Sequence, residues 1–212
     1  MATSVWSAWD DDLLSEMPGA LATLVRHHVK LAAIEFCNRA WVWVVDQGPI
    51  SVAAGANEYA WEPPASTEVA RILVAWLDKK KLTAQTRKEL SALYGDYMRA
   101  QGPATYFIQD VPSKLILVPT PTSSSADGIT AKIAVKPARA ATGLDSEIFN
   151  RYFDQITRGA KARLFGMAKK PWSDPAQARD LREAFEQDIA EAKLELTRSF
   201  AGARLRATAQ FF

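Results

Sequence analysis

The sequence predicts an α+β chain in which a helical bundle, made from an N-terminal helix and a C-terminal helical hairpin, carries an inserted antiparallel β-rich lobe and an extended C-terminal arm. Three observations predict it. Apolar residues recur at spacings of three and four near both ends of the chain, the pattern of a helix with one buried face. The middle holds short β-branched and aromatic runs separated by Gly and Pro, the pattern of antiparallel strands. The last residues carry arginines and phenylalanines with no periodic partner. The expected divisions are 1–40 for an N-terminal segment and first helix, 41–143 for the lobe, 144–200 for the hairpin and 201–212 for the arm.

In chain order, Leu21, Val25, Val29, Ala32 and Phe36 mark a first helix over about 18–40. Strands are expected at 41–45, 50–53, 57–61 and 69–77, bounded by Gly48, Pro49, Gly55, Pro63 and Pro64. Asp78, Lys79 and Lys80 read as a polar turn, with 81–83 returning as the second strand of a hairpin. Thr86 followed three residues later by Glu89 predicts a capping box that opens a short helix ending near Gln101 and Gly102. Strands at 105–109, 114–118 and 129–135 continue the sheet, the first two as a hairpin. The Pro-, Thr- and Ser-rich stretch 119–128 has no apolar anchor and reads as an exposed, mobile loop. Phe149, Tyr152, Phe153, Ile156, Ala160, Leu164 and Met167 form the face of the next helix, which stops before Pro171. The last helix opens at Asp174 with Pro175 in its first turn and Gln177 placed to complete the cap. Its stripe is Leu181, Phe185, Ile189, Ala192, Leu196 and Phe200.

Composition narrows the function classes. The chain has 212 residues, 26 Lys and Arg against 24 Asp and Glu, and a net charge of +2, too weak a field to announce a nucleic-acid partner. No apolar run approaches the roughly 18 residues of a membrane helix, so no membrane association is expected. The start is acidic, unlike a signal peptide. Cys37 is the only cysteine; it excludes an internal disulfide, reads as a buried inert thiol and fits a reducing compartment.

No catalytic constellation is legible. His27 and His28 are adjacent and point in different directions on a helix, so one metal is not held by both, and no metal or other cofactor is expected. Ser123, Ser124 and Ser125 lack the rigid setting and neighbouring base of a nucleophile. An enzyme is therefore not the reading. Charge patterning says more: Arg158, Lys161, Arg163, Lys169 and Lys170 follow one another without an acid. They read either as cations favoured near a helix C-terminus or as a patch for an acidic partner or a DNA backbone, which keeps a nucleic-acid-binding protein using 158–170 as the alternative function. Trp6 and Trp9, beside Asp10, Asp11 and Asp12, are expected at an interface. Arg198, Arg204, Leu205, Arg206, Phe211 and Phe212 suggest an arm that orders by inserting into a partner, since terminal phenylalanines are costly to expose.

Four stretches, in order, carry a resemblance: AAIEFCNRAWVW at 32–43, YFIQDVPSKLILVPTP at 106–121, ITAKIAVKPARAATGL at 129–144 and YFDQITRGAKARLFGMAKKPWSDP at 152–175. Together they resemble the adaptor proteins of tailed bacteriophages, the head-to-tail connector subunits. The resemblance implies a non-enzymatic structural protein of the virion neck, assembled in the host cytoplasm as a homo-oligomeric, typically dodecameric ring beneath the portal protein. It further implies that the arm docks on the portal, that a tail or nozzle protein joins the far side, and that double-stranded DNA passes through the channel at genome ejection. A head-to-tail ring needs two complementary surfaces on each subunit. Trp6, Trp9, Asp10, Asp11 and Asp12 are the candidates for one, and Arg158, Lys161, Lys169 and Lys170 for the other.

Overall fold

A computed structural model describes residues 2–198. The elements are β1 (Thr3–Val5), a 3-10 turn (Trp6–Trp9), α1 (Asp10–Leu14), α2 (Ala22–Ala40), β2 (Val44–Val52), β3 (Glu58–Ala60), β4 (Thr67–Leu77), β5 (Lys80–Lys81), β6 (Thr83–Ala84), α3 (Arg87–Tyr94), β7 (Tyr106–Ile108), β8 (Lys114–Val118), β9 (Ser125–Pro137), β10 (Gly143–Asp145), α4 (Ser146–Phe165) and α5 (Pro175–Arg198). The class is mixed α+β. The chain divides into two compact units, one built from the residues up to Val42 and from Arg139 onward, the other from Trp43–Ala138.

The first unit is organised by three helices. Val25, Val29, Ala32, Ala33, Phe36 and Ala40 form the buried stripe of α2. Leu21, expected on that stripe, is instead 71% exposed, because it is the extended residue preceding the helix and does not share its periodicity. Trp41 ends α2 at a φ of 59° and donates its N–H to the Cys37 carbonyl at 3.1 Å. α4 packs against both α2 and α5. Gly159 permits the close approach of α5: a β-carbon there would lie 2.6 Å from the Phe185 ring. Phe185 is fully buried, with Phe36 of α2 at 6.0 Å and Tyr152 of α4 at 5.1 Å from Phe36. Asp174 caps α5 as expected, its Oδ1 accepting from the Ala176 and Gln177 backbones at 3.1 and 3.0 Å. The Asp174 N–H donates to the Phe165 carbonyl at 3.0 Å, which ties the start of α5 to the end of α4.

The N-terminal segment, read from sequence as an acidic interface stretch, is structured. β1 pairs antiparallel with β10, an element the sequence did not suggest, with Ser4 opposite Leu144. Trp6 and Trp9 then turn inward.

The second unit holds two four-stranded sheets, ordered β2-β9-β4-β5 and β3-β8-β7-β6. All pairs are antiparallel except β6 with β7. β2 is one strand where two were expected; Gly48 and Pro49 are absorbed in a bulge between Gln47 and Ile50, a place where a strand tolerates a residue without an N–H. β9 begins at Ser125, inside the stretch expected to be a mobile loop. That stretch lacks apolar anchors but is held by its backbone: Thr120 N–H donates to Ala100, Gly55 N–H to Pro121 and Gly102 N–H to Thr120, all within 3.0 Å. Gly128 sits at a φ of 47° against β2, where a β-carbon would fall 1.8 Å from the Ile50 carbonyl oxygen.

The capping box is present at Thr86 and Glu89. The helix it opens is shorter than expected and stops at Gly95, whose φ of 67° turns the chain away, with tight turns over 96–100 in place of further helix. The 78–79 turn joins β4 to β5, with Leu77 opposite Lys80 and Trp76 opposite Lys81. Thr83, expected on this hairpin, pairs instead with Tyr106 of β7.

Gly159→Ala is expected to destabilise the first unit by about 1–3 kcal/mol through overpacking against Phe185. Denaturant unfolding followed by helical circular dichroism measures it, and an unchanged midpoint would contradict the close contact.

Candidate interaction surfaces

Trp6 and Trp9 lie in the core of their own subunit. Trp9 is fully buried, stacked on Phe153 at 5.3 Å and 9° between planes, with Phe149 edge-on at 4.7 Å and Trp6 at 6.0 Å. The Trp6 indole N–H donates to the Ala141 carbonyl at 2.8 Å. Their rings are spent on intramolecular packing, in place of the exposed interface position expected for them. Asp10 follows them inward: Arg26 of α2 holds its carboxylate through Nε, at 3.1 and 2.9 Å from the two oxygens. Asp11 and Asp12 remain exposed on α1.

The basic stretch is divided in the same way. Arg158 Nη1 donates to Asp188 Oδ1 of α5 at 2.6 Å. Lys161 Nζ donates to Glu16 Oε1 at 2.6 Å, and Arg163 donates to Glu35. These cations join the elements of the first unit to one another. The turn from Gly166 to Asp174 presents the rest: Lys169 and Lys170 are exposed, and their side chains make no ion pair or hydrogen bond among the described residues. Sequence therefore brought together nine candidates that the structure separates into paired residues and two small exposed groups, the acidic pair Asp11 and Asp12 and the basic pair Lys169 and Lys170. Arg204, Leu205, Arg206, Phe211 and Phe212, and Phe200 of the last stripe, lie outside the described residues; Arg198 is the last residue of α5.

Sequence reasoning did not find the polar hub of this unit. Glu35 of α2 accepts from Arg39 of its own helix at 3.1 Å, from Arg163 of α4, and from Arg182 of α5 at 2.6 and 3.1 Å. Glu186 joins it, receiving Arg182 at 2.6 Å and Arg39 at 2.8 Å. Burial alone would raise the Glu35 carboxyl, but the hydrogen bonds from Arg182 and Arg163, and their charge, outweigh it and hold the group down to about 2. Nearby, burial first, then His27 and Arg163, push His28 downward, toward a neutral ring. Burial pushes the Cys37 thiol up to about 12, consistent with an inert side chain. The sequence signals for the hub were two pairs at helical spacing, Glu35 with Arg39 and Arg182 with Glu186, which any exposed helix also shows.

The second unit offers an open cleft of about 480 Å³ between β4 and the β6–β7 region. Arg71, Gln85, Glu89 and Gln109 are among its lining. Its polar groups are engaged locally: Gln109 Oε1 accepts from the Ile72 N–H at 2.9 Å, and Glu89 serves the cap of α3. No group of three or more His, Cys, Asp or Glu able to hold a metal occurs among the described residues. No helix among them is long and apolar enough to cross a membrane.

Many charges of the first unit are thus arranged for its own cohesion. Its residues 7–208 match the family model described as SU10 adaptor protein. The chain belongs to that family. The SU10 adaptor proteins are phage head-tail adaptors, which places this chain as a virion component of the head-tail region. No curated protein matches it. The resemblance carried by the four stretches above is thus to the family that the match identifies, and the match spans both compact units.

In this adaptor, lowering the pH should remove the stabilisation supplied by Glu35. Its folded value lies below its ordinary 4.5, so the contribution is complete above about 4.5 and is lost as pH falls toward about 2. Glu35→Gln is expected to cost about 2 kcal/mol at neutral pH and to flatten stability over that window. Urea midpoints measured from pH 7 to pH 2.5 test both; equal acid sensitivity in the variant would contradict the hub.

Proposed function

We propose that this SU10 adaptor is a structural, non-catalytic connector subunit. It forms a homo-oligomeric ring, dodecameric as the resemblance implies, beneath the portal protein; a tail or nozzle protein joins the other side, and the genome passes through the channel. The observation that carries the reading is the family match over nearly the whole chain. In this reading α2, α4 and α5 form the bundle of each subunit, 43–138 its lobe, and the residues after α5 the arm that docks on the portal. The nucleic-acid alternative loses its main residues, since Arg158, Lys161 and Arg163 are committed to Asp188, Glu16 and Glu35.

Neighbouring subunits would meet through Asp11 and Asp12 on one side and Lys169 and Lys170 on the other. This pairing uses the exposed members of the two charged stretches, and complementary charge at a ring contact favours correct register and encounter more than raw affinity. Lys170 and Lys169 stand on a turn held at both ends by backbone bonds, including Ser173 N–H to the Lys170 carbonyl at 3.0 Å, so their placement is defined.

Electron microscopy of the adaptor mixed with its cognate portal should show an added ring of density. Removal of 202–212 should abolish attachment, and a ring that survives the truncation would move the docking surface off the arm. Lys169→Glu with Lys170→Glu should lower ring occupancy at least several-fold at low salt, and restoration by Asp11→Lys with Asp12→Lys would establish the pairing; unchanged assembly of the first variant would overturn it.

A further inference from the structure

We propose that the hairpin tip at 78–81 is a contact site for the phosphate backbone of double-stranded DNA. The inference rests on the connector reading in one respect, that DNA reaches the protein at all; the residues are read from the second unit alone.

Lys79, Lys80 and Lys81 are consecutive and exposed, and their side chains make no ion pair or hydrogen bond among the described residues. Elsewhere in their unit Arg87, Lys114, Lys132 and Lys136 each pair with a carboxylate and Lys88 is a lone exposed cation on α3, so what sets 79–81 apart is a run of adjacent unpaired ammonium groups. The tip is rigidly built. Asp78 and Lys79 both have positive φ, 49° and 66°, the signature of the two-residue turn that matches strand twist. The Asp78 N–H donates to the Gly128 carbonyl at 3.1 Å, its carboxylate accepts from the Ser125 hydroxyl, and Leu82 N–H donates to Ala75 at 2.9 Å.

Two features of this tip run against folding stability. The second turn position favours Gly or Asn, yet Lys stands there in the left-handed region. Three like charges then follow one another at the end of a two-residue loop, where the Asp78 carboxylate is turned onto Ser125. A polyanion relieves both the repulsion and the lack of counter-charge. The surroundings admit phosphate: Lys80 shares a recess of about 130 Å³ with the Thr122 and Ser123 hydroxyls and with Asp78, whose carboxylate is bonded by the Ser125 hydroxyl, and lysine ammonium groups with hydroxyl donors are groups that hold phosphodiester oxygens. A net charge of +2 for the whole chain keeps the contact weak, as a contact with a moving duplex must be.

The test uses the full chain and a random-sequence 30-base-pair duplex, with anisotropy followed from low to physiological salt. Wild type should bind at low salt, with an affinity that falls as log K against log salt with a slope of about −2 to −3. Lys79→Ala, Lys80→Ala and Lys81→Ala together should lose at least about tenfold in affinity at low salt and flatten the slope, whereas Lys169→Ala with Lys170→Ala should leave both unchanged. The triple variant should still attach to the portal by electron microscopy, which separates this inference from the connector reading. An absence of duplex binding by wild type, or an unchanged slope in the triple variant, overturns the inference. So does loss of portal or tail attachment in the triple variant with duplex binding retained, which would assign the tip to a protein partner.

Discussion

The contact of Phe185 with Gly159 sets the spacing on which the first unit depends. With no β-carbon in the way, the ring of α5 lies against the backbone of α4 and reaches Phe36 of α2, so one aromatic side chain touches all three helices. Burying such a side chain contributes about 1.5–3 kcal/mol. Its consequence for geometry is larger, because Arg182 and Glu186 flank Phe185 on the same helix and are thereby delivered to Glu35. Arg182 lies with its guanidinium carbon 5.6 Å from the Phe185 ring while bonding Glu35. Packing comes first, and the ions then fix which turn of α5 faces which turn of α2. Half-buried ion pairs of this kind add little net stability but favour this register, since a shifted α5 would lose the Arg182–Glu35 and Arg39–Glu186 pairs that join it to α2.

That arrangement explains why so basic a stretch as 158–170 leaves so little free charge. Cations on the inner and lateral faces of α4 are neutralised by acids from α2, α5 and the segment after α1, whereas the turn beyond α4 has no neighbouring acid to meet. Among the described residues, adjacent exposed cations without an ion pair lie where the chain reverses, at 169–170 in one unit and 79–81 in the other.

Much of the fold was legible from residues that act locally. The stripe from Val25 to Ala40, the caps at Thr86 and Asp174 and the hairpin around 78–79 all follow from spacing or turn chemistry within a few residues. What was not legible depends on partners far along the chain. Trp9 has no periodic neighbour in the acidic N-terminal stretch, and its burial is decided by Phe149 and Phe153, about 140 residues away. Arg158 and Lys161 read as free cations until Asp188 and Glu16 are placed against them. The order of 119–128 was hidden for a different reason: its anchors are backbone groups, which every sequence possesses and no composition reveals. Of the candidate site, only the exposed pairs 11–12 and 169–170 keep the surface position that sequence gave them.

The second unit enters and leaves on adjacent strands. Val44 at its start lies opposite Ala134 near its end, and Val135 N–H donates to the Trp43 carbonyl at 2.8 Å. A segment whose two ends are bonded together hands the chain back almost where it received it, so the helices on either side are asked to close only a short gap whatever lies beyond. Such a segment is a cassette. Strands may lengthen, loops be rewritten or the whole insert be exchanged by recombination between phages, and the path from α2 to β10 is left as it was.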